Sequence, residues 1–231
     1  VATVCSRQLQ YVTVQPIDAA HAAVAAGTDV DCLVVDRPEG LDAVAEEFPP
    51  SFRDSADELR KRVAQGCVAC LARRPRVDGP GREIVGYELA ERGVFSALGH
   101  RYPVGPEVIF SHWAEVLPAH RGQRIHALLF AARDRYFGQR GGRIVCGVVA
   151  PKNRASLHAL GRAGSRIVTA VWRVSVIGGL LAWQTSWEHT RSALYNGCDP
   201  RPARKPFTAM VRWTGVFAKA FAWLLIAPVD Q

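Results

Sequence analysis

One stretch of the chain collects groups suited to holding an anion: Val116-Leu-Pro-Ala-His-Arg121-Gly122-Gln123-Arg124-Ile125-His126. It lies where an apolar, β-rich run over residues 107–116 stops at Pro118 and a helical pattern begins near Gly122. At such a junction the first amides of the helix have no carbonyl one turn back, so they can bind an outside acceptor, and the helix dipole favours negative charge there. Arg121 and Arg124 add positive charge, and Arg154 and Arg162 follow on the next helical run. A phosphorylated ligand suits this arrangement better than nucleic acid, because the segment has few aromatic side chains for base stacking.

The charge distribution agrees. The net charge of +8 is uneven: residues 118–166 carry 10 basic and one acidic side chain, whereas residues 1–66 carry 6 basic and 11 acidic. A second group with chemical potential opens the following helical run, Asn153-x-x-Ser156-x-x-x-Leu160-x-Arg162-x-Gly164. Asn153 suits a helix N-cap as well as a ligand contact, and Ser156 suits capping or packing equally.

Together these two segments resemble the GNAT superfamily of N-acetyltransferases. The superfamily's acetyl-CoA motif reads V-x-P-x-x-R-G-x-G-x-G/A before an apolar helix, and Val116, Pro118, Arg121, Gly122, Ile125, Leu128 and Leu129 match it. Arg124 stands where the second Gly is usual, and His126 where Gly or Ala is usual. The downstream segment is similar to N-x-x-(A/S)-x-x-x-Y-x-K-x-G, with Leu160 in place of the Tyr that commonly serves as general acid.

The resemblance implies direct acyl transfer from acetyl-CoA, or another acyl-CoA, to a primary amine of a small molecule or sugar nucleotide. It implies cofactor contacts from Val116, Arg121, Gly122, Gln123, Arg124, Ile125, His126, Asn153 and Ser156, with the Val116 amide polarising the thioester carbonyl. His112 holds a position similar to that of a catalytic His in some members, and its ordinary pKa near 6.5 suits a base near neutrality. Glu115 and Glu88 compete for that role. Strand alternation puts His112 and Glu115 on opposite faces unless a bulge intervenes. An acyl carrier protein is an alternative donor, and a catalytically silent GNAT-fold binding module is the rival class. No metal, and no nucleic-acid partner, is expected.

The elements that would hold these residues follow from periodicity. A strand over residues 11–18 precedes an Ala-rich helix over 19–26, and residues 27–54 show little pattern beyond the apolar run Cys32–Val35. Ser55-Ala-Asp-Glu58 has a capping-box pattern and predicts a helix ending at Gly66. Runs over 67–74, 83–92 and 107–116 predict strands, 122–137 a helix, 143–150 a strand and 153–163 a helix. A final hairpin over 167–187 surrounds Gly178-Gly179. The order predicts an α/β fold with a mixed, mostly antiparallel central sheet flanked by helices, and a parallel crossover through the helix over 122–137.

This GNAT-like domain would occupy residues 1–187, with a Pro-rich linker over 188–206 and an apolar helix over 207–231. The last element can dock on its own sheet, lie on a membrane surface or pair with a second copy through residues 207–227. Six scattered cysteines form no disulfide framework, which with the absence of a signal-like segment points to the cytoplasm, with membrane association open through the tail. Cys67-x-x-Cys70 is read as a pair of strand cysteines, since a zinc site would need two further ligands.

Overall fold

The computed structural model describes residues 5–17, 29–176 and 181–184 of the chain. The helix expected over 19–26, the turn at Gly178-Gly179, the linker and the tail helix all lie outside those residues.

Eight strands form one sheet. In chain order they are β1 (Cys5–Pro16), β2 (Asp31–Val35), β3 (Val68–Pro75), β4 (Arg82–Arg92), β7 (Val108–Val116), β8 (Ile144–Val149), β9 (Arg166–Val176) and β10 (Leu181–Gln184). Their spatial order is β10-β9-β1-β8-β7-β4-β3-β2, and every neighbouring pair is antiparallel except β7 with β8. Helix α3 (Ile125–Gly138) makes that parallel crossover. A separate hairpin pairs β5 (Val94–Ala97) with β6 (His100–Pro103). Nothing in the sequence pattern signals this hairpin, because four-residue strands are too short to show alternation.

Both faces of the sheet are covered, which explains why β3 reads as a continuous apolar run. Cys67, Ala69 and Leu71 face a cluster with Phe52, Leu59 and Val63 of α2 (Arg53–Ala64) and with Leu41 of the short α1 (Pro38–Asp42). Cys70 and Ala72 face Ile125, Leu128 and Leu129 of α3. Further along the sheet, Phe95 and Ala97 of the small hairpin cover Val12, Phe110 and Cys146. Truncating Leu59 or Leu129, each 1% exposed or less, to Ala would cost about 2–5 kcal/mol.

Two expectations are corrected. Helix α2 begins at Arg53, after a 3₁₀ turn over Pro50–Phe52, so Ser55 is inside the helix and caps nothing. Its hydroxyl instead meets the Tyr87 oxygen at 3.3 Å, and Glu58 accepts from Arg62 at 2.9 Å. Helix α3 begins at Ile125, because Gly122 (φ 81°) and Arg124 (φ 59°) are left-handed and hold the preceding residues in a turn. Within α3, Arg133 and Asp134 are buried in an ion-pair network with Glu88 of β4. At the other end, α2 closes as expected on left-handed Gly66 (φ 95°), with the Cys67 amide bonded back to Arg62 O.

Candidate functional site

β7 and β8 pair only at their starts, from Val108 with Ile144 to Ser111 with Gly147. Beyond that point β7 stays paired with β4, and β8 with β1, so the two strands part. The gap is a cleft of about 620 Å³ bounded by Ser111 to Glu115 on one side and Cys146 to Ala150 on the other. α4 (Arg154–Arg162) lines it with Ser156, Ala159 and Leu160. A second depression continues from it over the Arg121–Ile125 turn and shares Ala114, Glu115, His126, Asn153 and Ser156 with the cleft.

The turn is built to present amides. The first backbone bonds of α3 run from Ala127 and Leu128 to Arg124 O, so the amides of residues 122–126 precede the helical ladder. Gly122 supplies its φ of 81° without strain, and nothing lies within 4 Å of where a Cβ would stand. Arg124 adopts the same left-handed region with a side chain, which costs roughly 1–2 kcal/mol. On β4, Gly86 lets the turn sit close: a Cβ there would lie 2.9 Å from Glu115 O and 3.2 Å from Ile125 Cγ2. Arg121, Arg124 and Arg162 line the depression, while Arg154 does not. Arg121 also donates from Nε to Val116 O at 3.1 Å, tying the turn to the end of β7.

The remaining motif residues separate by role. Asn153 accepts from the Ser156 amide at 3.1 Å as the N-cap of α4, and both residues line the cleft. Ile125 is buried in the core and can offer only its backbone. Gln123 is exposed and lines neither hollow. His126 stacks on Phe130 with ring centroids 5.9 Å apart and donates to the backbone of Ala114, at the open edge of β7. Burial lowers its pKa, so it faces the cleft as a neutral ring.

A bulge decides the orientation of the candidate bases. The β4–β7 register shifts between Leu89, opposite Trp113, and Ala90, opposite Ser111, which leaves His112 as the extra residue. Alternation is thereby broken, and His112 and Glu115 line the same cleft. His112 Nε2 lies 3.0 Å from Glu91 Oε2, and its ring meets Phe110 edge-on with centroids 4.7 Å apart. With Nε2–H donating to Glu91, the ring lone pair sits on Nδ1. Burial lowers the His112 pKa below 6.5, and the bond to Glu91 opposes that shift.

Glu115 accepts from the Tyr87 hydroxyl at 3.0 Å. Glu88 is no base for the cleft. It is fully buried beneath the sheet and held by Arg133 Nη1 at 2.5 Å and the Ser111 hydroxyl at 2.8 Å. From there hydrogen bonds continue through Arg133, Asp134 and Gln15 to Ser165, a polar chain of which Ser111, Arg133, Gln15 and Ser165 line the cleft floor. On the opposite side of the cleft, Asp54 and Glu58 of α2 stand with Tyr87 and exposed Trp113. Sequence pattern gave no sign of Tyr87, Glu91, Trp113 or Arg133 as site residues, because each joins it through a partner distant in the chain.

No protein-family model matches the sequence, and no curated protein does. Solved structures do match. A tandem GNAT protein from the clavulanic acid biosynthesis pathway is 15% identical, with a TM-score of 0.50 over 74% of this chain and 54% of that one. The chain has the GNAT fold. A Drosophila protein (16% identity, TM-score 0.45, 77% of this chain and 54% of that one) is also similar. So is the aminoglycoside N-acetyltransferase AAC(6')-Iy in complex with a CoA bisubstrate analog (20%, 0.42, 59% and 90%). The chain thus spans about half the length of the first and second of these proteins. In this GNAT fold the parting of β7 from β8 and the amide-bearing turn form one continuous hollow.

Proposed function

We propose that the chain is an N-acyltransferase that moves an acyl group from acyl-CoA directly to a small-molecule amine. The observation that carries this reading is the joining of two features: a turn of unpaired amides with three arginines, and a cleft between parted strands that leads from it to His112. The first suits a pyrophosphate. The second suits an extended thiol arm laid along the open edge of β7.

The chemistry then follows from the groups in place. The amine attacks the thioester carbonyl, His112 Nδ1 takes the proton that the nitrogen sheds, and the C–S bond breaks as the tetrahedral centre collapses. The thiolate leaves as the free thiol once it is protonated, so one amide and one thiol replace one amine and one thioester. The amide of Val116, at the end of β7, is the donor nearest the carbonyl, since the Leu117 amide is bonded to Val85 O. On the acceptor side, Asp54, Glu58 and Glu115 favour a cationic amine, and Trp113 gives its carbon frame a flat surface. Glu58 already shares Arg62, so Asp54 and Glu115 carry most of that attraction.

Two alternatives rest on particular observations. Arg121, Arg124 and Arg162 form a basic rim that also suits an acidic acyl carrier protein as donor. Leu160 in the cleft supplies no proton to a thiolate, which favours a binding module without transfer. Thermal shift with acetyl-CoA, long-chain acyl-CoA and acyl carrier protein separates the donors. A ligand at a hundredfold excess over its Kd adds about 2.7 kcal/mol. Thiol release with a panel of amines then separates transfer from binding. Stabilisation without thiol release would leave the binding module, and no stabilisation by any donor would overturn the proposal.

A further inference from the structure

The residue leading into β3 and two residues of β4 and β7 come together beside the cleft: Cys67, Glu91 and His112. The Cys67 Sγ lies 3.8 Å from Glu91 Oε2, the His112 Nε2 lies 3.0 Å from the same oxygen, and all three ligand atoms fall within 4.8 Å of one another. We propose that these side chains form a three-ligand site for a thiophilic divalent cation, Zn²⁺ above all. With bonds of about 2.3 Å to sulfur and about 2.0–2.1 Å to nitrogen and oxygen, tetrahedral ligands stand about 3.3–3.6 Å apart. The Cys67–Glu91 and Glu91–His112 separations need shifts of only a few tenths of an ångström, and the Cys67–His112 pair, within 4.8 Å, closes by at most about 1.2 Å.

The fold supplies what such a site needs. Cys67 is tied to the end of α2 by its amide's bond to Arg62 O and leads into β3, Glu91 is on β4 opposite Phe110, and His112 is the bulged residue of β7 between paired neighbours, so each ligand is held by hydrogen-bonded backbone at or beside it. Cys70, three residues on, faces α3 on the other side of the sheet, which is why the CxxC spacing does not itself make the site. Cys67 and Glu91 are buried, and His112 opens to the cleft, which gives the ion an entry path and a fourth position for water. Arg101 holds the other oxygen of Glu91, Oε1, and so leaves Oε2 to the metal.

Binding forms a metal–sulfur bond and releases the Cys67 thiol proton to solvent. It also uses the Nε2 lone pair of His112, so the ring proton moves to Nδ1 and the nitrogen facing the reaction becomes a donor. The ion and proton acceptance by His112 therefore exclude each other, and the filled site inhibits transfer. That last consequence rests on the function proposed above; the site itself does not.

Titrating the intact chain with Co²⁺ tests it. The expected result is thiolate-to-cobalt charge transfer in the near ultraviolet and tetrahedral bands in the visible. Both saturate at one ion per chain, are displaced by Zn²⁺ and are lost in Cys67→Ser but kept in Cys70→Ser. Glu91→Gln, which keeps the sulfur, should weaken binding by more than the about tenfold that losing even an outer partner of a metal ligand causes. Absence of the charge-transfer band, or its survival in Cys67→Ser, overturns the site. For transfer, micromolar Zn²⁺ should inhibit the unmodified chain and spare Cys67→Ser. A spectroscopically loaded chain that transfers at full rate would overturn the role of His112 while leaving the metal site standing.

Discussion

On one side of the cleft the working groups are main-chain amides and two guanidiniums delivered by one uninterrupted stretch, residues 116–126, with Arg162 added from α4. On the other side they are carboxylates, aromatic rings and an imidazole drawn from α2, β4 and β7, up to 61 positions apart from Asp54 to Glu115. The first wall depends on local backbone geometry: two left-handed residues and a helix start shape it, and Gly86 behind leaves it room. The second depends on register, since one bulge at His112 decides which side chains of β7 reach the cleft. A wall made of backbone tolerates side-chain change, whereas a wall made of register is altered by a single shift. Substitutions in the two walls should therefore separate donor binding from acceptor chemistry.

The largest expected effect is on the register-built wall. His112→Ala should lower kcat by about 10²–10⁴-fold, the usual contribution of a positioned base, and leave acyl-CoA affinity unchanged by titration calorimetry. In the unaltered chain the pH profile should show the sign of the burial effect. His112 must be neutral to act, and its pKa lies below 6.5, so the acid limb of kcat/KM should fall below pH 6.5 and activity be lost as pH drops through it. An acid limb above 6.5, or one that survives His112→Ala, would break the assignment.

The converse change is Gly122→Val. Space is open around Gly122, so the fold should persist, but a β-branched residue resists φ of 81° and the amides should turn away. Donor Kd should rise by about tenfold or more, given the energy of a left-handed non-Gly residue, with kcat at saturation little changed. Loss of kcat with an unaltered Kd would place the turn in the chemistry and erase the contrast between the walls.

A smaller effect is expected from the carboxylates. Asp54→Asn and Glu115→Gln should each raise KM for a cationic amine several-fold, about 1 kcal/mol for one partly exposed charge, and should spare donor Kd. The effect should shrink with added salt. A neutral acceptor analogue should show no such rise.

The same division decides what could be foreseen from the residues. The Val116–His126 turn and the Asn153 cap were legible because their geometry is fixed by neighbours along the chain. The parallel crossover through α3 was legible for the same reason. The shared face of His112 and Glu115 was not, because the bulge arises where β4 meets β7. Arg133 carries no local signal of a role, since its partner Glu88 is 45 residues away. Ser55 and Glu58 had the capping pattern but not the position, because Pro50 starts the helical turns earlier. Cys67 was set aside with Cys70 because spacing along the chain shows neither Glu91 nor His112.

Arg124 gives the finest test, because there the backbone and the side chain pull in opposite directions. Its left-handed conformation is one that Gly adopts freely, so Arg124→Gly removes strain of roughly 1–2 kcal/mol, reduced by the greater entropy of Gly in the unfolded chain. A net gain near 1 kcal/mol would raise Tm by about 2–4 °C in a chain of this size. The same change removes one of the three cations over the depression, so donor affinity should fall several-fold, and more steeply at low salt. A more stable chain that binds its donor less well would show that Arg124 is kept for its charge against the preference of its own backbone. If stability rose and affinity did not change, the wall would be backbone alone, and the contrast with the register-built side would be sharper still.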